Sequence, residues 1–173
     1  TGPIIVILIR LLVPLSTVKW PLWGGLAAVA ADALDVVLIG IIGLGDFSNY
    51  HSVDKVLDAY FLSFMAFIAL RWEQLPKWTA LGLFAYRMAG VLLFEATGIR
   101  WLLLAFPNLF MWFYIFCAAR EKFFPGYKLT PRRVAAILLI MLLPKLAQEY
   151  VLHYLQFTPW NWLNSHFFGF SAS

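Results

Sequence analysis

The residues able to do chemistry in this chain are charged side chains set inside apolar runs. Asp32 and Asp35 interrupt the run Gly24–Leu44. Arg87 and Glu95 interrupt Trp78–Ala96, and Lys145, Glu149 and His153 fall in the run that starts at Val134. An ionised group at a bilayer centre costs at least about 2.5–3.5 kcal/mol, so such residues usually face a bundle interior and mark a site. Their spacing puts them on shared helix faces. Asp54 and Asp58 are four apart, Lys145, Glu149 and His153 form a stripe at four-residue steps, and Arg87 and Glu95 lie about two turns apart. Asp54 and Asp58 opposite Glu149 and His153 would offer oxygen and nitrogen ligands to a divalent metal. The plainer reading of Lys145–Glu149 and Arg87–Glu95 is as internal ion pairs that fix helix register.

The elements that must position these groups read as membrane helices. The chain has 173 residues, 62% apolar and 13% charged, with a mean hydropathy of +0.80. A soluble domain carries about 45–50% apolar and about 25% charged residues, which excludes a typical water-exposed fold. The expected fold is an all-α integral membrane protein, a single bundle of six transmembrane helices, or five plus one interfacial. The spans fall at roughly 3–18, 24–44, 56–70, 78–96, 101–119 and 134–155, near the ~20 residues a bilayer core needs. Pro3–Val18 is the weakest because Arg10 and Pro14 interrupt it; as a span it would let Arg10 pair with a bundle carboxylate. Pro76, Gly98 and Pro125-Gly126 mark connections, and Thr130 is placed to cap a last helix opening at Pro131. Gly40, Gly43 and Gly45 with Ala27, Ala28, Ala30 and Ala31 favour close helix packing. Residues 156–173 read as an interfacial aromatic tail.

Loop charge orients the bundle. Lys19, Arg71, Lys77, Arg120, Lys122, Lys128, Arg132 and Arg133 gather on one side, against Lys55 and Arg100 on the other. Lys/Arg excess marks the cytoplasmic side, so the C-terminus is expected outside, in a bacterial cytoplasmic membrane. With these boundaries Asp32 lies roughly 12 Å in from the cytoplasmic end of its span. Asp54, Asp58, Glu95, Arg100, Asn108, Glu149 and His153 all fall toward the opposite end. The simplest arrangement is a pocket opening outward, with Asp32 and Asp35 as a separate inner-half acidic pair. His51 falls in an outer polar loop and reads as solvated. Cys117 is the only cysteine, so neither an internal disulfide nor a cysteine-based metal site is expected. No secretory signal is expected, because Thr1–Ile9 lacks a basic region.

Asp32-x2-Asp35 followed by Asp54-x3-Asp58 resembles the metal-binding aspartates of the CDP-alcohol phosphotransferase family, six-helix enzymes that make phospholipids. The resemblance covers under thirty residues. Val36 stands where that family has glycine, Ile39 and Gly40 where it has an Ala-Arg pair, and Tyr50 where it has another glycine. The depths assigned above also separate Asp32 from Asp58.

Three functions compete. The leading expectation is binding or translocation of a small polar or amphipathic solute. There Arg87, Arg100 and Lys145 would meet an anion, and Asp58, Glu95, Glu149 and His153 a cation or protons, with Asn108 beside them. A structural or assembly subunit of a larger membrane complex is the first alternative. A metal-dependent enzyme acting on a lipid-linked substrate is the second, its cofactor a divalent metal. The expected partners are the bilayer, a small-molecule or lipid ligand and other membrane subunits; the basic residues beside the spans do not suggest nucleic acid.

Overall fold

The computed structural model describes residues 2–42, 50–99 and 101–149, and for residues 2–6, 32–42, 50–55, 103, 148 and 149 the backbone alone. Every regular element among the described residues is helical. In chain order these are α1 (Gly2–Leu12), a 3-10 segment (Val13–Val18), α2 (Pro21–Ile42), α3 (Tyr50–Ala69), α4 (Gln74–Thr97), α5 (Trp101–Ala105), α6 (Leu109–Phe123) and α7 (Pro131–Glu149).

Several boundaries differ from those read in the sequence by a few residues, and three of the differences have a clear local reason. Residues 3–18 do not make one straight helix. Pro14 enters the chain just after Leu12, and the backbone tightens into the 3-10 segment, where Thr17 Oγ1 donates to Pro14 O and Ser16 Oγ to Val13 O. This segment lies hard against Gly24 of α2, where a Cβ would come within 2.5 Å of the Thr17 backbone nitrogen. The 101–119 span is broken at Phe106-Pro107-Asn108 into α5 and α6. Helix α3 starts at Tyr50, six residues before the expected start, because 50–55 holds polar residues but no glycine or proline.

Most other punctuation is as expected. Gly98 ends α4 in the left-handed conformation at φ 68°, with its N–H donating to Phe94 O. Thr130 Oγ1 accepts from Arg133 N at the start of α7. Pro76, expected in a connection, falls instead in the first turn of α4, where its missing N–H costs no helical bond.

The core joins α2, α3, α4 and α6. Met65, Ile68, Phe110, Phe113 and Tyr114 are fully buried, with Trp72 stacked on Tyr114 at 5.2 Å. Tyr114 Oη donates to Pro21 O at 3.1 Å, tying α6 to the start of α2. Gly90 of α4 meets the Phe106 ring so closely that a Cβ has no room. The outer surface is apolar as well: Leu92, Ile140 and Leu143 are each about 70% exposed. Among the described residues one helix, Gln74–Thr97, is long and apolar enough to cross a membrane, and only 11% of its apolar window is buried.

Candidate functional site

A buried arginine anchors the site. Arg10 in the last turn of α1 is 5% exposed, and its Nη2 donates to Asp58 Oδ1 of α3 at 2.7 Å. Tyr60 Oη donates to Leu11 O, a second tie between the same helices. Arg10, Pro14, Ala28, Ala31 and Phe61 enclose a cavity of about 10 Å³, room for about one water molecule. Arg10 thus pairs with a bundle carboxylate, as its place in the sequence allowed.

The pairing of α2 with α3 then sets the level of the other aspartates. A Cβ on Gly25 would lie 3.4 Å from Met65 Cε, and Ala28 shares the cavity wall with Phe61. Advancing along α2 therefore means retreating along α3: the helices are antiparallel, about one residue for one. Asp32 follows Ala28 by four residues, which puts it level with Asp58 three before Phe61. Asp35 follows Ala28 by seven, level with Asp54 seven before Phe61. Whole-turn steps keep all four on register positions of the facing sides. This corrects the depth expected for Asp58. With α3 starting at Tyr50, Asp58 lies eight residues, about 12 Å, inside its helix. The backbone thus sets Asp32 level with Asp58, and Asp35 level with Asp54 about one turn away.

The remaining expected site residues stand elsewhere. Arg87 Nη1 donates to Phe106 O at 2.9 Å and Tyr86 Oη to Ala105 O at 2.6 Å. Both serve carbonyls at the break between α5 and α6, where the i+4 ladder is interrupted and the Leu109 amide turns to Pro107 O instead of Ala105 O. Asn108 caps α6, its Oδ1 accepting from Met111 N at 3.3 Å. Glu95 is exposed near the end of α4. Lys145 lines a cleft of about 300 Å³ with Trp112, Ile140, Met141 and Pro144. The described members of the expected outer pocket thus stand at four places: Asp58 beside Arg10, Arg87 and Asn108 at the α5–α6 break, Glu95 near the end of α4, and Lys145 in its cleft. Arg100, His153 and residues 156–173 lie outside the described residues, as do the side chains of Asp32, Asp35, His51, Asp54 and Glu149. Among the described residues no group of three or more metal-ligating side chains stands together.

The opposite end carries an ion pair that sequence spacing alone did not reveal. Arg120 Nη2 reaches Glu73 Oε2 at 3.3 Å, clamping the α3–α4 turn onto α6, while Arg120 Nε is buried with no hydrogen-bond partner. Beside them burial raises the Glu121 carboxyl pKa and Glu73 adds to the rise; Arg120 and the Trp72 indole N–H oppose it. The signal was a cation and an acid bracketing the two connections, which becomes visible only once α6 packs on α3.

Comparison with family models, with curated proteins and with solved structures finds no match.

Proposed function

We propose that the chain is a polytopic membrane protein whose working centre is the acidic seam between α2 and α3, where a divalent cation presents a phosphate-bearing, lipid-linked substrate. The reading is carried by one observation: the α2–α3 register that sets Asp32 level with Asp58 and Asp35 level with Asp54, about one turn apart. A set of carboxylate oxygens suits magnesium, calcium or manganese, and these four aspartates would hold the ion. Bound there, it would supply charge neutralisation at phosphoryl oxygens. The chain's own part is positional. Arg10 orients the Asp58 carboxylate through a charge-assisted bond, and its burial fixes that geometry. The Asp58 side chain remains 40% exposed, so a substrate headgroup can approach it.

Exposed leucines and isoleucines on α4 and α7 support membrane location, since a soluble bundle buries such residues. The lengths of α2, α3 and α4 (22, 20 and 24 residues) support several spans. In this reading the Lys/Arg-rich end is cytoplasmic and the C-terminus outside. The seam also answers to the resemblance with the phosphotransferase aspartates, whose depth no longer differs.

A second reading, binding or translocation of an amphipathic solute, is favoured by the cleft around Lys145, whose size is at the lower end for a small-molecule site. Manganese titration of the full chain in lipid nanodiscs, followed by electron paramagnetic resonance, separates the two. One saturable site, weakened at least tenfold in Asp54→Asn, supports the metal reading. No stoichiometric ion, with uptake into proteoliposomes abolished by Lys145→Gln, supports the second. Neither ion nor uptake, and stability only with another polypeptide bound, would make the chain an assembly subunit.

A further inference from the structure

At the end of the bundle away from the acidic seam, the residues joining the 3-10 segment to α2 meet the last turn of α6. Lys19, Trp20, Pro21, Leu22 and Trp23 from one side, and Ala118, Glu121 and Lys122 from the other, line an open cleft of about 300 Å³. Its two cations are held in place by aromatic faces. Lys19 Nζ stands 4.9 Å from the centre of the Trp20 ring and Lys122 Nζ 4.7 Å from that of Trp23. Each tryptophan is 54% exposed. Cation–π contact leaves an ammonium its hydrogen-bond donors, so both lysines can still bind an anion. Leu22, Pro21 and Ala118 give the cleft an apolar wall.

We propose that the cleft between Lys19, Trp23 and Lys122 binds the phosphate of an anionic phospholipid headgroup. The chemistry fits in three ways. Two ammonium groups match a phosphate anion, exposed indole rings settle at the headgroup level of a bilayer, and the apolar wall accepts the glycerol end of the lipid. Glu121 is the one acid in the lining and sets a limit on affinity. Its carboxyl is held toward the neutral form by burial, which lessens its repulsion of the ligand. The inference rests on the membrane reading, and is independent of the acidic seam.

The test is native mass spectrometry of the full chain released from nanodiscs of equal phosphatidylglycerol and phosphatidylcholine. Wild type is expected to retain phosphatidylglycerol preferentially. Lys19→Gln and Lys122→Gln should each reduce that preference about fivefold, Glu121→Gln should raise it, and Lys128→Gln should leave it unchanged. Lys19→Arg with Lys122→Arg should preserve it. Insertion without lipid preference, or a preference indifferent to both lysines, would overturn the proposal and leave the membrane reading intact. Failure to insert would overturn both. Inorganic phosphate that displaces the lipid at micromolar concentration would assign the cleft to a soluble phosphate compound and overturn the lipid source.

Discussion

Replacing Asp58 with asparagine should destabilise the protein more than removing Arg10, its partner. The Arg10 side chain is 4% exposed and that of Asp58 40%. Asp58→Asn leaves a buried guanidinium facing a neutral amide, whereas Arg10→Met leaves a carboxylate that water can reach. Breaking a fully buried ion pair costs about 3–5 kcal/mol. The half-open acid screens this one, so about 2 kcal/mol is expected for Asp58→Asn and about 1 kcal/mol for Arg10→Met. The double variant should lose much less than the sum, giving a coupling of about 1–2 kcal/mol. Thermal unfolding in detergent reads this directly. At about 2–4 °C per kcal/mol for a chain of this size, Asp58→Asn should lower Tm by about 4–8 °C. Additive losses, or an Asp58→Asn variant as stable as wild type, would refute the coupling of α1 to α3 through this pair.

Glycine substitutions should split in sign. Gly24→Ala drives a methyl into the Thr17 backbone, which cannot move aside, and should cost about 1–3 kcal/mol. Gly82→Ala meets nothing within 4 Å and should stabilise α4 by about 0.5–1 kcal/mol; equal signs in the two melting curves would contradict the packing of the 3-10 segment on α2. Asn108→Ala should cost about 1 kcal/mol and speed hydrogen exchange at the Met111 amide, while an unchanged rate would remove its capping role. Because the Glu121 carboxyl pKa is raised on folding, its contribution to stability is present at low pH and lost as pH rises through the raised value. Glu121→Gln should therefore raise Tm at neutral pH and lose that advantage below the ordinary carboxylate range; an advantage confined to acid would reverse the sign.

Much of the architecture was legible in the residues themselves. Apolar runs located α2, α4 and α7, and local chemistry located some of their ends: Pro131 in the first turn of α7 with Thr130 as its cap, and Gly98 at the connection after α4. Arg10 announced a partner because a lone guanidinium inside an apolar helix needs one. The site was harder to read, and the reason is specific. The polar stretch 50–55 looks like loop by hydropathy, yet nothing in it breaks a helix. Starting α3 at residue 56 pushed Asp58 toward the bundle end by about 9 Å and hid its level match with Asp32. The break at Phe106-Pro107-Asn108 was missed for the converse reason, since continuous hydrophobicity masked a proline that reorganises the backbone. Arg87 and Asn108 then looked like ligand-binding groups, while the structure gives them helix-end carbonyls and an amide to satisfy. Charge in an apolar run marks where polar structure is needed; tertiary pairing decides whether it serves a ligand or the backbone.

If the facing sides of α2 and α3 bring Asp32, Asp35, Asp54 and Asp58 to one seam, disulfide trapping between the two helices will detect it. In a Cys117→Ser background, Asp35→Cys with Asp54→Cys should form an intramolecular crosslink under mild oxidation in membranes, detectable by peptide mass spectrometry. Val37→Cys with Asp54→Cys, rotated to the far side of α2, should not. Efficient trapping of the Val37 pair, with none for the Asp35 pair, would contradict the seam and the metal site built on it.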